Sequence, residues 1–260
     1  MKLSAEELAS GTLSSDTIQL AADQVRINGY AVIESVLSKE KIQRLHEKFM
    51  ETFEDHISKH ELNRGVNRTQ MHLPFVEPFI DSDVIANPYA LPIIEALVGK
   101  NCACRYFASD TPLPGSDYQA VHSDSQALFP NALVTLPATG IVLNIPLVDF
   151  TEDNGPVEIW PGGTHLILEK DNQSATIQAA ASAMQSIRVL MPAGSLLIRD
   201  IRMWHRGTPN RSNEARPNLA LVYFREWFNV RPRISISNQS YESLSERARQ
   251  LFRFEDIGKR

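Results

Sequence analysis

Tyr118-Gln119-Ala120-Val121-His122-Ser123-Asp124 carries a histidine and a carboxylate two positions apart. Side chains on an extended segment alternate with period 2, so His122 and Asp124 point to the same side. Such a pair can hold two adjacent corners of a metal ion. The other histidines (His46, His56, His60, His72, His165 and His205) have no acid two residues on, so this pair stands by itself. Its meaning depends on a third ligand and a co-substrate site elsewhere in the chain.

Bulk properties set the frame. The chain has 260 residues, 43% hydrophobic and 22% charged, which suits one large globular domain over 1–260 with room for a β sandwich or barrel. A net charge of −5 and a pI near 5.8 argue against a nucleic-acid surface, which needs a basic face. No stretch approaches 18 consecutive apolar residues, so no membrane span is expected. The segment MKLSAEELAS has no apolar signal core, and the expected location is cytoplasmic. Cys102 and Cys104 lack the spacing and partners of a zinc site and read as small strand side chains in a reducing compartment.

Outward from the opening stretch, the chain divides into a helical first part (about 1–100), a β core (about 102–228) and a C-terminal helix (about 240–252). Residues 4–25 read as helical, with Ser15 or Asp16 as the cap. Gly29-Tyr30-Ala31-Val32-Ile33 is a short β-type run. Ser38 caps a helix with Ile42, Leu45, Phe49, Phe53 and Ile57 at steps of three and four. On that helix His56 and His60 have ligand-like spacing but no intervening glutamate, so they read as surface histidines. Residues 62–90 show no clear period and suit a pocket cover. Pro92 to Leu97 forms a short helix ended by Gly99.

From 102 the pattern is β. Candidate strands are Cys102–Phe107, Tyr118–His122, Ile141–Leu147, Val157–Trp160, Ile187–Leu190, Ser195–Arg199 and Leu219–Arg225. Gly, Pro and Asn turns lie between them. Many short strands with such punctuation indicate a sandwich or barrel rather than alternating βαβ units. Ser174–Met184 is the one helix expected inside this half, and Ser243–Phe252 is expected near the C-terminus.

The third metal ligand should come from a second strand beside the first. His205 fits: it follows the strand Ser195–Arg199 and stands between Trp204 and Arg206-Gly207-Thr208. Arg216, in the last β segment beyond the polar loop Asn210–Glu214, can lie near it. Two imidazoles and one carboxylate on one face of an octahedron leave three positions open, the facial triad of non-haem Fe(II) oxygenases. Two open positions suit a chelating 2-oxo acid and the third dioxygen. A 2-oxo dicarboxylate also needs a fixed cation, and the planar fork of arginine binds both oxygens of a carboxylate.

His122-Ser123-Asp124, His205 and Arg216 resemble the H-x-D … H … R pattern of Fe(II)/2-oxoglutarate-dependent oxygenases. Asp153-Asn154-Gly155-Pro156, then Glu158-Ile159-Trp160-Pro161-Gly162 and His165, look like the phytanoyl-CoA dioxygenase branch. So do Gly29–Ile33 followed by a helix, and Gly194-Ser195-Leu196-Leu197 before Trp204-His205-Arg206-Gly207. The resemblance covers about residues 27–228. It implies a mainly β protein with flanking helices, a double-stranded β-helix (jelly roll, cupin-like) with iron at one open end.

The resemblance further implies Fe(II) on His122, Asp124 and His205, 2-oxoglutarate as co-substrate and dioxygen as oxidant. Gln119 matches a glutamine that contacts 2-oxoglutarate, and Arg216 the arginine that binds its far carboxylate. The family's hydroxyl near the distal histidine falls here on Thr208, because position 207 is glycine. Pro161-Gly162-Gly163-Thr164-His165 is one residue longer than the family turn, and His165 reads as a structural turn histidine. The carboxylate of Asp124 argues against halogenation, since halogenating relatives carry a small residue there. The expected substrate is a small organic molecule, a secondary metabolite among the candidates, contacted by residues 62–80, Tyr106, the Asp110–Asp117 loop and Phe129 to Leu136. The alternative is a cupin-like protein that binds a metal or small molecule without oxygenase activity.

Overall fold

Gly11, at φ +66°, ends α1 (Ala5–Ser10), and Ser14 starts α2 (Ser15–Asn28). The single helix expected over 4–25 is therefore two, and the cap is Ser14, whose hydroxyl accepts from the Thr17 amide at 3.1 Å. Left-handed backbone suits a residue with no Cβ, so glycine is where the helix can stop. The computed structural model describes residues 1–129, 134–167 and 173–258.

After α2 come β1 (Tyr30–Ile33) and α3 (Lys39–Lys59). Ser38 caps α3 as expected, a bond that contributes about 1 kcal/mol. One stripe of α3 (Ile42, Leu45, Phe49 and Phe53) is buried. The segment without a clear period holds β2 (Arg68–His72) and α4 (Ser82–Ile85), and α5 (Leu91–Val98) ends at Gly99. Next are β3 (Ala103–Pro112), β4 (Gly140–Pro146) and β5 (Val157–Ile159). A 3-10 turn (Thr164–Leu166) carries His165. α6 (Ala175–Ser182), β6 (Ile187–Arg188), β7 (Leu196–Asp200), β8 (His205–Gly207) and β9 (Asn218–Phe224) complete the β half.

β10 (Ser235–Ile236), α7 (Asn238–Ser243), α8 (Glu246–Leu251) and β11 (Asp256–Ile257) follow. The helix expected over Ser243–Phe252 begins later. Ser245 starts α8 by accepting from the Ala248 amide at 3.3 Å, and α7 precedes it as a separate turn.

Two antiparallel sheets form the β core. The larger has the order β1-β7-β4-β9-β3-β2 and the smaller β6-β5-β8; they do not close into a barrel. Strand alternation divides the large sheet. Ile141, Leu143 and Ile145 of β4, Leu219, Leu221 and Tyr223 of β9, and Leu196 and Ile198 of β7 pack against residues of α2, α3, α5 and α8 in one apolar cluster. The alternate residues, Val142, Asn144, Leu197, Arg199, Asn218, Ala220 and Val222, line a cavity on the other face.

The stretch Tyr118–His122 is not a strand. Only His122 bridges to His205, through backbone bonds of 3.0 and 2.9 Å. The ladder stops because the Gly207 amide, which would meet the Ala120 carbonyl in the next pair, goes to the Gln119 side chain at 2.9 Å, while the backbone of Val121 faces α6 and bonds Gln178 at 3.0 and 2.6 Å.

Candidate metal centre

The bridge between His122 and His205 brings two imidazoles together from segments 83 residues apart, with ring centroids 4.3 Å from each other. Asp124 completes the group, its amide donating to the Ile201 carbonyl at 3.0 Å. One ligand atom from each of the three residues lies within 4.8 Å of the others. Asp124 Oδ1 stands 3.8 Å from His122 Nε2 and 3.6 Å from His205 Nε2.

Each ring is oriented by its own backbone. His122 Nδ1 lies 2.9 Å from the Ala120 carbonyl and His205 Nδ1 3.0 Å from the Met203 carbonyl. A carbonyl only accepts, so the proton belongs on Nδ1 and the Nε2 lone pairs face Asp124. Burial and the nearby Arg199 charge push His205 down to about 3, which keeps it neutral. Burial alone would raise the Asp124 carboxyl, but Arg199 and the two imidazoles hold it well below the usual carboxylate range. Two neutral nitrogens and one carboxylate oxygen suit a divalent first-row metal such as ferrous iron, and leave three of six positions open.

Asp124 presents its two oxygens differently. Oδ1 faces the imidazoles, whereas Oδ2 accepts from Arg199 Nη2 at 2.6 Å. Arg199 is buried on β7 and its Nε donates to Asn144 at 3.4 Å. No sequence motif pointed to it. The available signal was a lone charge in Ser195-Leu196-Leu197-Ile198-Arg199, two positions from Leu197 and hence on the cavity side.

A cavity of about 470 Å³ opens beside the three candidate ligands. Arg216 and Gln119 line it with them. Arg216 is buried, its guanidinium 4.2 Å over the Phe150 ring and 3.8 Å from Asp110 Oδ2, and its Nε has no partner among the described residues. Burial pushes this guanidinium down from its ordinary range, the condition of a cation that gains from an incoming anion. The Gln119 side chain accepts from the Gly207 amide at 2.9 Å, which turns its NH2 group away from that bond.

Thr208 is placed differently from the rest. Its hydroxyl donates to the Pro156 carbonyl at 2.7 Å, and it does not line the cavity. Its carbonyl accepts from Arg68 at 2.8 Å, so Thr208 reaches the site only through that arginine. Arg68 is buried and donates to Asp110 at 3.2 Å. Gly207 leaves the space for it, since a Cβ at that position would overlap the Arg68 guanidinium.

The remaining expectations divide. Arg64, Gln70, Tyr106 and Asp110 line the cavity, as the readings of 62–80, Tyr106 and the loop from Asp110 proposed. Residues 130–133 of the Phe129–Leu136 stretch lie outside the described residues, and the others of that stretch do not line the cavity. His165 is buried with Nε2 2.9 Å from the Arg26 carbonyl, a structural turn histidine as read.

A cavity between antiparallel sheets, lined by a His-Asp-His group and a buried arginine, is the arrangement of a double-stranded β-helix with a candidate metal centre. The profile of the phytanoyl-CoA dioxygenase (PhyH) family matches residues 25–218, and the chain belongs to that family. The dioxygenase af480 of Aspergillus fumigatus is 23% identical over 193 residues, 71% of this chain and 59% of that protein. The match thus spans less than two thirds of that relative.

Two solved structures share the fold. The non-heme alpha ketoglutarate dependent epimerase SnoN from nogalamycin biosynthesis superposes with a TM-score of 0.66 at 18% identity, covering 82% of each chain. The non-heme alpha ketoglutarate dependent carbocyclase SnoK from the same biosynthesis gives 0.62 at 20% identity, covering 82% of this chain and 84% of its own.

Proposed function

We propose that the protein is an Fe(II)- and 2-oxoglutarate-dependent oxygenase that hydroxylates a small organic molecule. The observation that carries this reading is Arg216: a buried cation with an unfilled donor, in the same cavity as three metal-ligand atoms within 4.8 Å of one another. Family membership supports it. His122 Nε2, Asp124 Oδ1 and His205 Nε2 would hold the iron, and Arg216 the far carboxylate of 2-oxoglutarate. Bound there, the two groups supply with dioxygen a two-electron oxidation of the substrate, 2-oxoglutarate leaving as succinate and CO2.

The chain's own residues prepare the site. Arg199 holds Asp124 Oδ2, so one carboxylate oxygen is offered and three positions stay open. Arg68 draws Asp110 to 3.2 Å, against 3.8 Å from Asp110 to Arg216, and so leaves Arg216 available. Gln119 carries an amide donor toward the co-substrate. Val142, Leu197, Ala220 and Val222 form an apolar floor that excludes water from the oxidation.

Hydroxylation is the proposed outcome because it needs no further reacting group from the protein. A cytoplasmic location is proposed with it, and Cys102 and Cys104, buried and free, are consistent with a reducing compartment. Among the described residues no helix is long and apolar enough to cross a membrane.

The test is succinate release from 2-oxoglutarate under air with ferrous iron, with and without Arg216→Ala. The wild-type protein should release succinate, and the variant should need at least about tenfold more 2-oxoglutarate. A protein that neither binds nor consumes 2-oxoglutarate overturns the oxygenase reading in favour of a cupin-like binder.

A further inference from the structure

Arg64 and the Tyr106 hydroxyl face the same cavity as the metal ligands, and neither side chain has a protein hydrogen-bond or ion-pair partner among the described residues. Among the described residues, the only hydrogen bond of Arg64 runs from its backbone amide to the Arg68 carbonyl, at 3.2 Å. The acids of the cavity wall are engaged elsewhere. Asp124 is held by Arg199 at 2.6 Å, and Asp110 lies 3.2 Å from Arg68 and 3.8 Å from Arg216.

The charge inventory is therefore one-sided. Arg64, Arg199 and Arg216 line the cavity against Asp110 and Asp124, and Arg68 packs behind Asp110. A ferrous ion and a 2-oxoglutarate dianion cancel each other, so filling the centre leaves the positive surplus in place. Arg64 is exposed and screened by water, so the surplus favours an anionic guest that displaces that water on binding.

The sheet register says where the anion belongs. Tyr106 pairs with Val222, Val222 with Val142, and Val142 with Arg199, one row across four strands. The Arg199–Asp124 pair closes one end of that row and Tyr106 the other, three strand spacings or about 14 Å apart at the backbone. Between them the floor is valine. Burial raises the Tyr106 phenol far above its ordinary value, so the hydroxyl remains a donor at any working pH.

We propose that the substrate is an organic acid whose apolar body lies over Val142 and Val222 and whose carboxylate is bound by Arg64 and the Tyr106 hydroxyl. The proposal rests on the oxygenase reading for which end of the molecule meets the metal. A neutral substrate would leave Arg64 to water and give Tyr106 no charged acceptor. An acid satisfies both and uses the valine floor for its body.

Binding can be read without turnover. Protein loaded with Co(II) and saturating 2-oxoglutarate under argon is titrated calorimetrically with decanoate and decanamide, and with 4-phenylbutyrate and its amide. Saturating 2-oxoglutarate keeps the probes off Arg216. Each acid should bind at least about tenfold tighter than its amide. Arg64→Met should abolish that preference and Tyr106→Phe should reduce it several-fold, with amide binding unchanged in both. Equal binding of acid and amide, acids that do not bind, or a preference that survives Arg64→Met overturns the proposal. The change in Co(II) absorption on adding 2-oxoglutarate is recorded first. A centre that shows no change counts against the oxygenase reading. A centre that forms without an Arg64-dependent acid preference sinks the substrate proposal alone.

Discussion

Arg199 Nη2 donates to Asp124 Oδ2 at 2.6 Å, across 75 residues of sequence, while Asp124 Oδ1 faces the two imidazoles. This contact assigns the two oxygens of one carboxylate to different tasks. With a metal on the three candidate ligands, a bidentate carboxylate would fill a position that the proposed co-substrate needs, and the arginine would keep that face open. Replacing Arg199 by Met should weaken Co(II) binding roughly tenfold to a hundredfold, the usual effect of losing a partner of a metal ligand. Arg199→Lys should recover part of that loss. Equal Co(II) affinity in wild type and Arg199→Met, measured by competition with a chelator, would remove the arginine from this role.

Gly207 makes a second, purely steric prediction. A methyl group there meets the Arg68 guanidinium, which is buried and held by Asp110 and the Thr208 carbonyl. Gly207→Ala should destabilise the protein by about 1–3 kcal/mol, the cost of overpacking. It should also raise the 2-oxoglutarate requirement, since Arg68 and Arg216 share Asp110. Urea denaturation and a co-substrate titration read the two effects; a variant as stable as wild type would show that Arg68 can move aside freely.

The metal-free protein should lose stability in acid. His205 has its folded pKa depressed to about 3 by burial and Arg199, so between about 6.5 and 3 the unfolded chain binds more protons than the folded one. The stabilisation is full above the unfolded value and falls as pH drops through that window. Asp124, also depressed, acts with the same sign at lower pH. Urea midpoints at pH 7, 5.5 and 4 should decline in order, and His205→Gln should flatten the upper part of that decline. A midpoint independent of pH contradicts the buried, neutral imidazole.

The cysteines should be silent in the native state. Burial pushes the Cys102 thiol up to about 11, and the Cys104 thiol still further. Thiolate is the reactive form, so a thiol reagent at pH 8 should label neither in the folded protein and both in urea. Rapid labelling of the native chain would place at least one of them at the surface.

The sequence by itself determined what depends on short-range geometry. Ser38 and the stripe Ile42, Leu45, Phe49 and Phe53 specify α3, because capping and the 3.6-residue period are local. The order of His122, Asp124, His205 and Arg216 was legible because each residue type is restricted by the chemistry it performs. Even here local reading had limits. Tyr118–His122 alternates like a strand, yet the Gly207 amide that would continue its ladder goes to the Gln119 side chain. β8 is three residues long, too short to show any period.

Only the tertiary structure decided which charges meet. Arg199 with Asp124, Arg68 with Asp110 and Thr208, and Arg64 with Tyr106 on one cavity wall come from distant segments. Strand alternation predicts which side of a sheet a side chain takes, but not the register or order of strands that sets its neighbour. That order, β1-β7-β4-β9-β3-β2, aligns Tyr106, Val222, Val142 and Arg199 in one row. The candidate ligands were written in the residues. The arginine that holds Asp124, and the cavity lining that includes Arg64 and Tyr106, came from how the chain assembled.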